Sequence, residues 1–116
     1  MADETMTVAQ LRQAMQQFVD ERDWRQFHTP KNLAMSLAIE AAEVMEHFQW
    51  LDPTEASEYT LDPARREAVA DEIADVCCYL LSLVNALNLD LTDAVLAKLV
   101  KNARKYPADQ FRGRSR

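Results

Sequence analysis

Residues 38–44 read AIEAAEV, and two glutamates, Glu40 and Glu43, stand among apolar neighbours in this stretch. Residues three apart project from the same side of an α-helix, so the two carboxylates form a pair on one helical face. A second pair, Glu72 and Asp75, has the same spacing inside the stretch EIADV at 72–76. The repetition predicts two helices that each carry a pair of carboxylates in apolar surroundings.

The apolar setting of these acids decides between two interpretations. A single Glu-x-x-Glu pair is common on solvated helix faces and would carry no functional meaning. Burying a carboxylate costs free energy unless a cation or a hydrogen-bond donor compensates for it, and the small Ala neighbours leave room for ions and water. Two such helices facing each other would surround hard divalent cations, Mg²⁺ or Mn²⁺. The expected metal ligands are Glu40, Glu43, Glu72 and Asp75.

Two further residues follow the first acidic pair. Glu46 lies three positions after Glu43 and can reach the same site or a metal-bound water. His47 lies four positions after Glu43 and is expected at the surface or behind the metal ligands. Together with the paired acids, Glu46 points to metal-assisted phosphate chemistry.

Length and composition limit the class of protein. The chain has 116 residues, which predicts one domain, 1–116, without room for a second core. A single Gly and four Pro predict a nearly all-α fold. No apolar run reaches membrane-spanning length, and the N-terminus lacks a basic and hydrophobic export signal. The adjacent Cys77 and Cys78 suit core packing in a reducing compartment. We therefore expect a soluble cytoplasmic protein with no membrane partner.

The charge balance restricts the possible partners. A formal net charge of −6 argues against a nucleic-acid polymer as partner. It also argues against a triphosphate ligand until metals are counted, because carboxylates that bind several divalent ions turn a negative site into an electrophilic one. A triphosphate is compatible with this chain only if metal accompanies it.

Capping signals and apolar periodicity predict four helices. Thr7 to Gln10 reads as a capping box, and Thr29-Pro30 and Asp62-Pro63 each read as an N-cap followed by proline at the first helical position. The connection 51–61 is polar and has room for a short extra turn, and the tail 109–116 is predicted to be disordered. The predicted helices are Thr7 to about Arg22–Trp24, Thr29 to about Trp50, Asp62 to roughly Asn88, and Thr92 to just before Pro107.

The second and third helices carry apolar residues on more faces than one small bundle can cover. In the third helix, Leu81 and Val84 widen the apolar stripe beyond the needs of one chain. We expect an all-α four-helix bundle assembled as a homo-oligomer, a homodimer or homotetramer. The alternative is a monomer with a partly apolar surface.

Aromatic residues cluster at the start and the end of the second helix. Trp24, Phe27 and His28 lie just before it and could form a pocket that stacks on a nucleotide base. They could equally form a hydrophobic plug between helices. Trp50, at the far end of the same helix, has the same two interpretations.

The last helix offers Lys98 and Asn102 as ligands for phosphate. They are neighbours four residues apart, so both could meet phosphates that leave a metal cluster. The alternative is that cationic side chains complement the negative end of the helix dipole, which accounts well for Arg104 and Lys105. The chemistry alone does not separate these interpretations.

Taken together, Glu-x-x-Glu followed after some 28 residues by Glu-x-x-Asp resembles the all-α nucleoside triphosphate pyrophosphohydrolases, the MazG-like superfamily. The resemblance covers nearly the whole chain apart from its termini and is strongest to the dCTP pyrophosphatase branch. The combined pattern is specific, although each piece alone is weak. The matching segments are 22–24, 27–28, 30–33, 40–43, 48–50, 75–76, 79–80 and 104–107.

The resemblance implies Mg²⁺-dependent hydrolysis of a (deoxy)nucleoside triphosphate to the monophosphate and pyrophosphate, in an oligomer with sites between subunits. By position it assigns the four paired acids as metal ligands, Lys98 and Asn102 as phosphate contacts, and a nucleotide pocket to Trp24, Phe27, His28, Trp50 and Tyr79. Met15 stands where the vertebrate members place a histidine near the nucleotide, so base selectivity can differ here. The expected catalytic acids are Glu43, as general base, and Glu46.

Three alternatives stay open. The enzyme could prefer dCTP, a modified dCTP, dUTP or another non-canonical nucleotide. A di-iron carboxylate bundle would need Glu-x-x-His on two helices, whereas this chain pairs acid with acid and offers Glu43 with His47 four residues on. A non-catalytic helical interaction module would use the acids only to solvate its surface.

Overall fold

The computed structural model describes residues 1–115, and within them the chain is helical without a strand. The all-α prediction is confirmed. The helices are α1 (Ala2–Thr5), α2 (Val8–Glu21), α3 (Pro30–Glu46), α4 (Pro53–Tyr59), α5 (Pro63–Ala86), α6 (Leu91–Lys105) and α7 (Ala108–Phe111), with a 3₁₀ turn at Arg25–Phe27.

The predicted helix starts correspond to real caps. Thr7 Oγ1 accepts a hydrogen bond from the Gln10 amide at 3.1 Å, and the Thr7 amide donates to Gln10 Oε1 at 2.8 Å, which completes the capping box of α2. Thr29 Oγ1 accepts from the Asn32 amide at 3.2 Å at the start of α3. Asp62 caps α5 by accepting from the Ala64 amide at 3.2 Å.

The end of α3 corrects the prediction of a helix to about Trp50. The helix ends at Glu46, and the chain continues in a tighter turn. There the amides of His47 and Phe48 donate to carbonyl oxygens only three residues back, at 3.2 and 3.0 Å. The His47 and Phe48 rings pack against Tyr59 of α4, with ring centroids 5.9 and 5.5 Å away. This contact between two elements is invisible to helical periodicity.

The core lies where α5 packs along α3 and against α2. Its buried residues are Val19, Leu33, Val69, Leu81, Ser82 and Val84. The axes of α5 and α6 are bent by 100° at the break between them. Within residues 1–115, α6 has no buried residue and no extensive contact with another element. Of the four predicted helices, three therefore pack together inside a single chain, and the fourth does not.

The divergence of α6 leaves an open protomer. The radius of gyration is 17.2 Å, whereas a compact domain of this length has about 13 Å. The accessible surface is 9241 Å², about 40% above the value expected of a folded monomer of this mass. Apolar side chains on α6 contribute to this surface, among them Leu96 and Leu99, each 56% exposed.

The first part of the predicted disordered tail is ordered. Ala108–Phe111 form the short helix α7, and the Phe111 ring meets the Tyr106 ring edge-on at 5.2 Å. That aromatic contact gives the segment something to bury, which the charge-rich composition of the tail does not indicate. Arg116, the last residue of the predicted tail, lies outside the described residues.

Within residues 1–115, no single helix is both long and apolar enough to cross a membrane, and the segments 63–86 and 91–105 reach that length and composition only as a sharply bent pair.

Candidate functional site

Three of the four predicted metal ligands meet between α3 and α5. Glu40 and Glu43 from α3 and Glu72 from α5 each place a carboxylate oxygen within 4.8 Å of the others. This arrangement follows from the spacing of Glu40 and Glu43 and from the close packing of α3 along α5. We call Glu40, Glu43 and Glu72 the carboxylate trio.

Asp75 lies beside the trio and is not part of that group. It is exposed, one helical turn after Glu72, and its negative charge contributes to the raised pKa of both Glu40 and Glu72. Its role as a fourth ligand stays a prediction.

The trio is held in an electrostatically unfavourable state. Burial, then hydrogen bonding to and repulsion from Glu43, and then repulsion from Asp75 raise the pKa of Glu40. A hydrogen bond with Glu43, followed by burial and by repulsion from Glu43, Glu40 and Asp75, raises the pKa of Glu72 to about 7. Like charges this close disfavour simultaneous ionisation, so near neutral pH the trio binds a proton unless a cation takes its place.

The trio fits a hard divalent cation on two grounds. Glu40 Oε2 and Glu72 Oε2 are buried without a hydrogen-bond partner. Buried ionised oxygens of this kind are costly unless they are compensated, and a cation between them removes both the desolvation penalty and the mutual repulsion. All the donor atoms are carboxylate oxygens, the ligand type that Mg²⁺ and Mn²⁺ prefer.

A cavity of about 440 Å³, which we call the acidic cavity, opens at the trio; its lining residues are Glu43, Glu46, His47, Tyr59 and Glu72. Glu46, the spare acid of the sequence, therefore faces the same space as two trio members. His47 Nδ1 and the Tyr59 hydroxyl are 3.1 Å apart and share a hydrogen bond. His47 thus lines the acidic cavity and does not lie on the open surface, which is the other location that its spacing allows.

A second cavity lies on the other side of Asp75. This aromatic cavity, of about 190 Å³, is lined by Met15, Phe18, Trp24, His28, Asp75, Cys78 and Tyr79. Trp24 meets Phe18 edge-on at 5.8 Å and lies 6.5 Å from His28. A further cavity of about 240 Å³ shares Trp24, His28 and Tyr79 and adds Phe27.

The aromatic residues before α3 line open cavities, and their role in a nucleotide pocket stays a prediction. Trp24 is 42% exposed and Phe27 is 59% exposed, so neither ring is sealed between helices. Four predicted nucleotide contacts, Trp24, Phe27, His28 and Tyr79, thus surround open space next to Asp75.

Three predicted contacts are not brought to the site within one chain. Trp50 is 86% exposed and lines none of the cavities around the trio. Lys98 and Asn102 lie on α6, whose sparse contacts keep it apart from the α3–α5 pair within residues 1–115. The roles predicted for these three residues stay predictions.

Several lining residues escape sequence reasoning. Phe18 belongs to the apolar stripe of α2 and Cys78 was assigned to core packing, yet both line the aromatic cavity. Tyr59 carries no motif, since its position beside His47 depends on how α4 folds back onto the end of α3.

The chain is similar to proteins of known family and name. The model of the MazG-like family matches residues 35–116. The chain is 40% identical over 110 residues to dCTP pyrophosphatase 1 of Homo sapiens, a match that covers 95% of this chain and 65% of the human protein. It is 38% identical over 107 residues to dCTP pyrophosphatase 1 of Mus musculus, covering 92% and 63%. The chain thus spans somewhat less than two thirds of the length of these relatives.

A solved structure has the same fold. The crystal structure of a pyrophosphatase from Archaeoglobus fulgidus DSM 4304 superposes with a TM-score of 0.77 at 42% sequence identity. The match covers 85% of this chain and 91% of the archaeal one.

Proposed function

We propose a function on one premise: the chain belongs to the MazG-like family. The function is hydrolysis of a (deoxy)nucleoside triphosphate to the monophosphate and pyrophosphate in the presence of Mg²⁺, with dCTP or a modified dCTP as the preferred substrate. The names of the human, mouse and archaeal relatives support this reaction, and the dCTP pyrophosphatases support this base.

One observation in the structure carries the proposal. Glu72 lines the acidic cavity and Asp75, one turn later on α5, lines the aromatic cavity. A space suited to an aromatic base therefore adjoins a space suited to metal-bound phosphates. A nucleoside triphosphate is a ligand that carries both parts on one molecule.

The residues around the trio suit attack of water on the α-phosphorus. When bound, Mg²⁺ neutralises phosphate oxygens, makes a bound water more acidic and stabilises the pyrophosphate leaving group. Glu40, Glu43 and Glu72 would hold the ions. The water oxygen bonds to the α-phosphorus, its proton passes to Glu43, or to Glu46 across the cavity, and the bond to the bridging oxygen breaks with its electron pair on pyrophosphate.

Base recognition falls to the aromatic cavity. Trp24 and Tyr79 offer ring faces, and His28 offers a polar edge in the same space. Met15 gives this cavity an apolar wall. The choice among dCTP, modified dCTP and dUTP is therefore made by this set of residues.

We also propose that the working enzyme is a homo-oligomer, a dimer or a tetramer. The exposed apolar surface of α6, the large accessible surface and the 86% exposure of Trp50 support this proposal. In the assembly, Trp50, Lys98 and Asn102 from a second copy would complete the site. The free thiols of Cys77 and Cys78 suit a reducing, cytoplasmic location.

A nucleotide panel tests the reaction. dCTP, 5-methyl-dCTP, dUTP, dTTP and dATP are incubated with the protein and Mg²⁺, and released pyrophosphate and phosphate are measured separately. We expect pyrophosphate and monophosphate in equal amounts, fastest from dCTP or its modified form. Release of single phosphates, or activity that survives EDTA, would contradict the reaction.

A further inference from the structure

The His47–Tyr59 pair lies at the end of the acidic cavity and is not used by the reaction described so far. His47 follows the last residue of α3, and Tyr59 is the last residue of α4. His47 Nδ1 and the Tyr59 hydroxyl are 3.1 Å apart in a partly buried setting, and both side chains line the cavity beside Glu43 and Glu72.

The Tyr59 ring is fixed by three neighbours. Phe48 meets it edge-on at a centroid distance of 5.5 Å, the His47 ring lies at 5.9 Å, and the Arg65 guanidinium lies 5.0 Å from the ring centre. These contacts hold the phenol in place independently of its hydroxyl. The hydroxyl therefore occupies a defined position at the cavity, and Tyr59→Phe can remove it while preserving the ring.

The pair supplies what the other lining residues lack. Glu43, Glu46 and Glu72 only accept hydrogen bonds when ionised. If the Tyr59 hydroxyl donates to Nδ1, the imidazole proton is on Nε2; if Nδ1–H donates to the phenol oxygen, the hydroxyl proton is free. In both arrangements one donor remains after the shared hydrogen bond is made. A donor beside cation-binding carboxylates suits an anionic oxygen that the cations also contact.

The direction of α5 indicates which part of a nucleotide reaches this donor. Tyr79 and Asp75 line the aromatic cavity, whereas Glu72 lines the acidic one. From Tyr79 back to Glu72 is about 10 Å along the helix axis. A nucleotide with its base at Tyr79 thus directs its phosphates toward Glu72, and the terminal phosphates come nearest to His47 and Tyr59.

We propose that His47 and Tyr59 form a binding subsite for the pyrophosphate half of the substrate, the part that leaves as product. The pair donates one hydrogen bond to a β- or γ-phosphate oxygen. The subsite rests on the proposed function, because it is the binding position for the pyrophosphate that leaves in that reaction. It makes no contact with the base or the sugar.

Binding of inorganic pyrophosphate tests the subsite without turnover. Calorimetric titration with Mg²⁺ present compares the wild-type protein with Tyr59→Phe, and dCMP is titrated in parallel. A hydrogen bond to a charged group is strong enough that its loss should weaken pyrophosphate binding roughly tenfold or more. Affinity for dCMP should stay within about twofold, since the monophosphate does not reach the subsite.

Ser57→Ala is the matched control. It also removes one hydroxyl from α4, where Ser57 Oγ donates to the Pro53 carbonyl oxygen at 2.9 Å, away from the cavity lining. Pyrophosphate affinity should be unchanged in this variant. His47→Leu should weaken pyrophosphate binding, and the double variant should lose little beyond the more affected single variant, because the pair offers one donor through one shared hydrogen bond. His47→Asn, which keeps a polar atom near the Nδ1 position, should recover part of the loss.

Three results would overturn the subsite: pyrophosphate affinity unchanged in both Tyr59→Phe and His47→Leu, equal losses for pyrophosphate and dCMP in the affected variant, or a loss in Ser57→Ala equal to that in the affected variant. Failure of the subsite can be distinguished from failure of the proposed function. If no triphosphate yields pyrophosphate but the Tyr59 hydroxyl still governs pyrophosphate affinity, the subsite stands and the reaction falls. If pyrophosphate is released and is bound equally well by wild type, Tyr59→Phe and His47→Leu, the reaction stands and the subsite falls.

Discussion

At the scale of single residues, the carboxylate trio brings three acidic side chains into a crowded, partly buried position. Glu40 Oε2 and Glu72 Oε2 are buried without partners, and the pKa of Glu72 is raised to about 7. An apo protein therefore carries repulsion that only protons or cations relieve. Two predictions about stability and activity follow from this state.

Glu43→Gln and Asp75→Asn should each abolish turnover while leaving the helical fold intact. Removing one of several crowded negative charges relieves repulsion, so the apo variants should melt no lower than the wild type. Glu67→Gln, the same change at an exposed position of α5, is the control and should keep full activity. Circular dichroism melts and pyrophosphate release are the measurements, and full activity of either site variant would contradict the metal site.

The metal-free protein should lose stability as pH rises. The folded-state pKa of Glu72 lies above its unfolded value, so the native state binds more protons between about pH 4.5 and 7, and ionisation across that window disfavours folding. We expect a lower melting temperature at pH 8 than at pH 5.5. Glu72→Gln should flatten this dependence, and Mg²⁺ should raise the melting temperature mainly at pH 8. An apo protein that is more stable at pH 8 than at pH 5.5 would contradict this account.

Trp24 and Lys98 should affect nucleotides differently. Stacking on one aromatic face is worth about 1–3 kcal/mol, so Trp24→Ala should raise KM for the preferred nucleotide roughly five- to a hundredfold and reduce discrimination between bases. Lys98→Ala should weaken all nucleotides alike, because phosphates carry no base identity. The measurement is kcat/KM for dCTP, dUTP, dTTP and dATP beside thermal melts. A Trp24→Ala variant that melts lower but keeps its nucleotide ranking would show that Trp24 only packs.

At the scale of elements, local signals locate helix starts and fail at helix ends. Thr7, Thr29 and Asp62 all cap the helices that the sequence predicts, because a cap depends on the next three residues alone. The end of α3 depends on Tyr59 of another helix, so periodicity overruns it by about four residues. The acidic pairs could be recognised in the sequence because their spacing within one helix is also a local signal. The His47–Tyr59 pair could not, because it forms only where α4 folds back onto the end of α3.

The cap of α3 should stabilise the helix that carries Glu40 and Glu43. Thr29→Ala removes the acceptor for the Asn32 amide and should lower the free energy of unfolding by about 1 kcal/mol. Thr92→Ala is the control, because Thr92 is exposed on α6 and Asp90 provides the cap there. Urea denaturation of both variants measures the difference. Equal stability of the two would show that the Thr29 hydroxyl contributes nothing.

At the scale of the whole molecule, the protomer covers too little of its own apolar surface. Its helical fold and family could be predicted from the sequence, since both follow from composition and local motifs. The position of α6 could not, because within residues 1–115 α6 has no buried residue and no extensive contact with another element of the chain. Lys98 and Asn102 lie on α6, so their positions relative to the carboxylate trio depend on how α6 packs.

Light scattering at micromolar concentration should give a mass at least twice the 13.3 kDa of one chain. The excess surface of the protomer is comparable with what obligate interfaces bury. Leu96→Glu together with Leu99→Glu on α6 should lower the measured mass, whereas Thr92→Ala should leave it unchanged. A wild-type mass near that of one chain would mean that the apolar surface stays exposed to water.

Because Trp50 is exposed, its fluorescence can report on whatever covers the indole ring. The protein has two tryptophans: Trp24 lines the aromatic cavity, while Trp50 is 86% exposed. In a Trp24→Phe variant, all indole emission comes from Trp50. If neighbouring copies cover that ring, dilution will shift the emission toward longer wavelengths as indole returns to water, and a nucleotide stacked on it will quench the signal. One fluorescence titration can then follow assembly and ligand binding through the same side chain.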